Sequence, residues 1–215
     1  SGYQGHGSLA HPHGILISWA LMMQGAVQLN SEGRRFSNEM GGYSEQAVKV
    51  LNQPDGIAWN IYDAQRHNFL VSGFPDYCEA VGAGAIHCGA DAAELAKVTC
   101  LPELMLASTL AEVQALASGV GSDVLGRDFS GVTPLKAPYY AVKVTGALFH
   151  TQGGLVIDNT ARVHRADGGT FMNLYASGGA ACGVSGPAVE GYLSGNGLLT
   201  AIAYGYLAGR NASMV

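Results

Sequence analysis

The sequence predicts an α+β chain, on three observations. Residues 57–62 (IAWNIY) and 139–144 (YYAVKV) are rich in β-branched and aromatic side chains, as strands are. Between them, Asp91 and Glu94 frame a capping box, and Pro102 opens a long helical apolar face. Near the C-terminus, a strand-like run, a glycine-rich loop and an apolar helix follow one another.

In chain order, residues 1–13 are Gly- and His-rich without periodicity and read as loop. An apolar helix is expected over 15–24, ended by Gly25, then a weak strand over 26–29 and a turn at Asn30-Ser31-Glu32-Gly33. Ser44, Glu45 and Gln46 make a polar, acidic first turn for a helix reaching Leu51. The strand over 57–62 closes at Asp63. Ala92 to Val98 follows the capping box, and Leu104, Leu106, Leu110, Val113 and Leu116 recur at helical spacing until Gly119. Residues 119–138, with Pro134 and Pro138, read as loop before the strand over 139–144. A further strand is expected from Leu155 to Asp158, a buried one over 173–176, and a closing helix over 197–212 with small residues for close packing. Composition turns markedly Gly-rich near residue 150.

Charge narrows the function. Only 13% of the 215 residues are charged, against about 25% in ordinary soluble domains. The net charge of −5 argues against a nucleic-acid partner. Residues 14–28 carry no charge, but 15 residues are too few for a membrane span. Cys78, Cys88, Cys100 and Cys182 lack C-x-x-C spacing, so a reducing, cytoplasmic setting is expected. Thin charge and 31 glycines together predict a surface covered by another polypeptide or a large ligand, and a tendency to self-associate.

Gly5-His6-Gly7-Ser8-Leu9-Ala10 matches G-x-G-x-x-G/A, yet no strand precedes it and His11-Pro12-His13-Gly14 follows in place of a helix. His6, His11 and His13 have no Cys, Asp or Glu nearby, so no metal site is expected. Gly183-Val184-Ser185-Gly186 is one residue short of a hydrolase elbow. Seven glycines lie between 178 and 197, between a strand and a helix. That arrangement sets backbone N–H groups and a positive dipole end against an electron-rich ligand.

Several of these segments resemble the FAD-dependent fumarate reductase and succinate dehydrogenase flavoprotein superfamily, including its ketosteroid dehydrogenase-like members. The matching pieces are Phe149-His150-Thr151-Gln152-Gly153-Gly154-Leu155, Asn173-Leu174-Tyr175-Ala176-Ser177-Gly178-Gly179, and Ser194-Gly195-Asn196-Gly197-Leu198 with the helix after it. Upstream, residues 30–39 match N-x-x-G-x-R-F-x-N-E, and Asp123, Gly126-Arg127 and 138–141 match the exit from the capping domain. The resemblance implies a substrate-capping domain over 1–148 and the C-terminal strand–loop–helix segment of an FAD domain over 149–215. It covers the later part of the family pattern, so a separate Rossmann half of the same protein is expected as partner, with the chain inactive alone.

The resemblance implies a hydride passing between flavin N5 and a C–C bond beside a carbonyl or carboxylate. It places Gly153, Gly154, Ser177, Gly178, Gly179, Gly195, Asn196, Gly197 and Leu198 at FAD. It places His150, His11 and Ser18 at a small carbonyl or carboxylate substrate. Tyr43 stands at the proton-donating arginine's position, and Tyr192 approximately at that of the clamping arginine. Trp19 and Met22 fall on the proton-relay positions and cannot relay protons, and residues 185–196 hold no arginine, which speaks against fumarate reduction; the tyrosine at 43 looks like that of the ketosteroid dehydrogenases, where a Tyr acts as acid or base beside a carbonyl. Taken alone, Tyr43 reads equally well as a packed aromatic at a helix start. The rival reading of the whole chain is a cap-like binding module without flavin.

Overall fold

The computed structural model describes residues 9–10, 12, 14–148, 152–186 and 188–214. The chain forms two compact units that divide between Ala147 and Leu148.

The first unit is built on a four-stranded antiparallel sheet. Its strands are β3 (Val27–Leu29), β4 (Ile57–Asp63), β5 (Ile86–Gly89) and β6 (Tyr139–Thr145), in the order β3-β4-β6-β5. A small ribbon of β1 (Leu9–Ala10) and β2 (Ile15–Leu16) precedes it. The helices are α1 (Ala20–Met23), α2 (Tyr43–Leu51), α3 (Ala64–Gly73), α4 (Pro75–Gly82), α5 (Ala92–Thr99) and α6 (Glu103–Ala117).

Alternation along the central strands explains the layering, because successive side chains point to opposite faces. Ala58, Tyr62, Val142 and Val144 pack with Ile17, Leu21, Val50, Leu70 and Tyr77. Trp59, Ile61, Tyr139 and Ala141 pack with Leu95, Leu106, Leu110 and Val113 on the other side. Both faces are therefore covered, and β4 is buried at nearly every position.

The expected helix over 15–24 is corrected. Ile15 and Leu16 pair with β1, and only Ala20–Met23 is helical. The break has a local cause: Gly14 has φ +67°, and Ser18 Oγ accepts the Ala20 N–H at 3.2 Å, so helix begins late. The strand expected from Leu155 to Asp158 is reduced to single bridges, Leu155 to Ala181 and Ile157 to Val163.

Two helix starts show why the sequence folds as it does. Asp91 Oδ1 accepts the Glu94 N–H at 2.9 Å while Glu94 Oε2 accepts the Ala90 N–H at 2.9 Å, a cap shifted by one residue from the expected box. At α2, Gly42 is the N-cap with φ +108°, and a Cβ there would fall 2.3 Å from Glu45 Oε2. Glycine is required at that spot. Ser44, expected to shape this turn, is buried and does not cap it.

Four charged residues of the motif segments hold one another. Arg35 meets Glu39 at 2.8 Å and Asp123 at 2.9 Å, and Arg127 meets Glu39 at 3.1 Å. Arg127 also donates to the carbonyls of Ala26 (2.7 Å) and Met22 (3.2 Å), and the Phe129 ring lies under both guanidinium groups. Burial alone draws the Arg35 pKa down, but Glu39 and Asp123 hold it above its ordinary value. These residues fasten segment 30–39 to loop 123–129; their work is structural.

The second unit contains the hairpin β7 (Arg162–His164) and β8 (Thr170–Tyr175), and the helix α7 (Asn196–Ala212). Its small core is Val163, Ala176 and Ala181, with Ile157 and Tyr204 against it. The strand expected to be buried over 173–176 is corrected: Phe171, Met172, Asn173 and Leu174 are exposed, and Ala176 alone of 173–176 is buried. Among the described residues, no helix is long and apolar enough to cross a membrane.

Candidate functional site

In the first unit, the turn before α1 and the start of α2 bring two of the expected site residues into one neighbourhood. Tyr43 is the first residue of α2, and its ring meets that of Trp19 edge-on with centroids 6.5 Å apart. Ser18 is the neighbour of Trp19 in sequence, and its hydroxyl oxygen is occupied by the Ala20 N–H. Ser18, Trp19 and Tyr43 are all partly buried, so each keeps a face open. Trp19, which sequence reasoning treated only as a lost relay, is thus the aromatic wall beside Tyr43. His11 and His150 lie outside the described residues. A cavity of about 560 Å³ beside loop 119–131 takes in none of the candidate residues.

In the second unit, two glycine segments run side by side. The Leu155 N–H donates to Ala180 O at 2.8 Å, and the Cys182 N–H donates to Leu155 O at 2.9 Å. Gly154 permits this approach, since a Cβ would lie 2.5 Å from the Ala181 backbone. Ser177 leads into a tight turn at Gly178–Ala180, and Gly178 packs towards Ala201 of α7. Gly195 is the N-cap of α7 with φ +81°. Tyr192 is partly buried, and its N–H donates to Val189 O at 3.1 Å.

Asn196 behaves differently from its neighbours. It is 4% exposed, and its carboxamide turns inward, donating to Ser185 Oγ and accepting from Gln152 Nε2 at 3.5 Å. Leu198, by contrast, is 76% exposed. Sequence reasoning did not pair Gln152 with Ser185 and Asn196; the signal was a polar side chain at each of three positions hemmed in by glycines.

Residues 5–198 match the family of FAD binding domains. The chain belongs to this family. A probable fumarate reductase of Shewanella frigidimarina is 31% identical over 98% of this chain and 34% of its own length. A fumarate reductase of Schizosaccharomyces pombe is 32% identical over 93% of this chain and 38% of its own. The structure of the open conformation of a flavocytochrome c3 fumarate reductase superposes with a TM-score of 0.73 at 29% identity, over 99% of this chain and 36% of that one. The chain thus spans about a third of the length of each of these three relatives. The resemblance read from the motifs is borne out at the level of the superfamily, and FAD is the family's cofactor.

The residues present fit that cofactor. A Cβ at Gly153, Gly179, Gly195 or Gly197 would meet nothing within 4 Å, and the last two bracket the first residue of α7, so backbone there is open to a ligand. The first N–H groups of a helix have no intrahelical partners, and they attract negative charge. Among the described residues no group of three or more His, Cys, Asp or Glu converges to hold a metal ion.

Proposed function

We propose that this chain is part of an FAD-dependent oxidoreductase that reduces or dehydrogenates a C–C bond next to a carbonyl or carboxylate. The observation that carries this reading is the family match over residues 5–198. Residues 1–148 act as the substrate-capping domain and 149–215 as the C-terminal segment of the FAD domain. Bound FAD supplies the two-electron, hydride-level chemistry.

The chain's own residues bind, orient and move the proton. Gly153 and Gly179 leave room for a flat ring system while Gly154 and Gly178 let the Ala181 backbone and Ala201 come close behind them, and the α7 N–H groups at Gly197 and Leu198 favour negative charge beside it, that of Asn196 being taken by Leu193 O. Tyr43 serves as acid or base at the reacting carbon, held by the Trp19 ring. His150, His11, Ser18 and Tyr192 hydrogen-bond the substrate's carbonyl or carboxylate oxygen, which polarises the bond to be reduced.

The ADP half of FAD is gripped outside these 215 residues, on the Rossmann half of the same protein. Exposed apolar residues on α7, Ile202 at 74% and Tyr206 at 67%, support a neighbour on that helix. Charge-assisted contacts to a pyrophosphate are worth about 1.5–3 kcal/mol each, so three of them amount to roughly three to six orders of magnitude in affinity. FAD titrated into the 215-residue chain, followed by flavin fluorescence, should therefore bind weakly, while the full-length protein retains it. Stoichiometric submicromolar binding by the chain alone overturns this division of the cofactor site.

A further inference from the structure

The glycine loop of the second unit is closed by side chains far apart in sequence. Ser185, 4% exposed, accepts on Oγ from the Leu193 N–H at 3.1 Å and from Asn196 Nδ2. These two bonds tie together the ends of the segment that carries Tyr192. Asn196 Oδ1 then receives Gln152 Nε2, which comes from the other glycine segment. Gln152 is itself buried, and its carbonyl accepts the Gly183 N–H at 2.8 Å. The fit is close enough that a Cβ on Gly183 would lie 1.8 Å from Gln152 Oε1.

Burying polar side chains beside so small an apolar core is costly unless they pair, and the Ser185–Asn196 pair, with Gln152 Nε2 at 3.5 Å from Asn196 Oδ1, fixes one arrangement. Backbone bonds alone would suffice to close a turn. We propose that Gln152, Ser185 and Asn196 are positioning residues that lock the Tyr192 loop and the first turn of α7 into one piece, presenting the Tyr192 hydroxyl to the substrate oxygen. This rests on the oxidoreductase reading above. Asn196 then acts through Ser185 and Gln152, and its side chain does not touch the cofactor.

The test uses the full-length, FAD-loaded protein and two probes, 2-cyclohexen-1-one and fumarate, with affinity read from the flavin difference spectrum. Amide hydrogen exchange at Leu193 is followed in parallel. Ser185→Ala should lose Leu193 protection and weaken the responding probe about tenfold, as Tyr192→Phe does, at unchanged flavin content. The double variant should also lose about tenfold, not a hundredfold, because the two residues act as a unit. Ser185→Thr keeps the hydroxyl and should restore both readouts. Asn196→Asp, which keeps the shape but removes the Nδ2 donor, is the second variant and should shift both in the same direction. Unchanged exchange at Leu193, additive losses, or failure of Ser185→Thr to rescue overturns the proposal. If neither probe perturbs the wild-type flavin, the oxidoreductase reading falls. The exchange arm still decides the clasp: protection retained in Ser185→Ala overturns it, and protection lost and regained with Thr supports it.

Discussion

Replacing Glu39 by Gln removes a carboxylate shared by two buried guanidinium groups. Glu39 is fully buried and accepts from Arg35 Nε and Nη2 at 2.8 Å, from Arg127 Nη1 at 3.1 Å and from the Gln28 N–H at 3.2 Å. In the variant, Arg35 keeps Asp123 at 2.9 Å. Arg127 keeps backbone carbonyls, the Phe129 ring, the field of Asp123 and at most a neutral amide oxygen where the carboxylate stood, and its Nε already lacks a hydrogen-bond partner. Breaking a buried pair from one side costs about 3–5 kcal/mol, because the remaining charge is left without its counter-charge. At about 2–4 °C per kcal/mol for a chain of this size, the melting temperature should fall by roughly 6–20 °C. Thermal unfolding followed by circular dichroism reads this directly, with urea midpoints as a check on cooperativity. A shift below about 2 °C would show that water already reaches Arg127, and would refute the network's structural role.

Three further outcomes follow from single residues. Burial raises the Asp123 carboxyl, but hydrogen bonds from Arg35 and from the N–H groups of Arg127 and Leu125 outweigh it and hold the pKa below the usual value. Its contribution is therefore present above the unfolded pKa of about 3.9 and lost as pH falls through the lower folded value; the gap in urea stability between wild type and Asp123→Asn should be full at neutral pH and close on acidification below about 4. Asp91→Ala removes the α5 cap and should cost about 1 kcal/mol in urea unfolding; no loss means the 2.9 Å bond to Glu94 N–H is dispensable. Tyr43→Phe in the full-length protein should lower turnover by roughly 10²–10⁴ with flavin still bound, whereas retained turnover with altered stability makes the ring a packing element against Trp19.

What the sequence made legible depends on how local the determining physics is. β4 and β6 show in residues 57–63 and 139–145 because β-branched and aromatic side chains fill both faces of a covered sheet. α5 and α6 are announced by Asp91, Glu94 and Pro102. α3 and α4 are not, since α3 buries only Arg66 and Leu70 and so shows no apolar stripe. Asp63 closes β4 as expected and is also the N-cap of α3, accepting the Arg66 N–H at 3.2 Å. The apolar run before Gly25 fits helix and strand alike, and it divides between them: Ile15 and Leu16 pair with β1 while Ala20–Met23 is helical. In β8, Phe171, Met172 and Leu174 look like core but are exposed, because burial is a property of the neighbours present. Of the candidate site, the glycine segments were legible as motifs. The Ser185–Asn196 pairing was not, because a hydrogen bond across eleven residues leaves no periodic trace.

An oxidoreductase of this kind must pass electrons between the flavin of the complete protein and an activated C–C bond. The full-length protein, purified with its flavin and reduced anaerobically with dithionite, is mixed with 2-cyclohexen-1-one or with fumarate while the flavin absorption bands are followed. Return of the oxidised bands with one of the two, in a one-to-one ratio of flavin to acceptor and with the saturated product formed, is the predicted result. A complete protein that carries no flavin, or whose reduced bands persist with both acceptors and whose oxidised bands persist with the saturated ketone and with succinate, contradicts it.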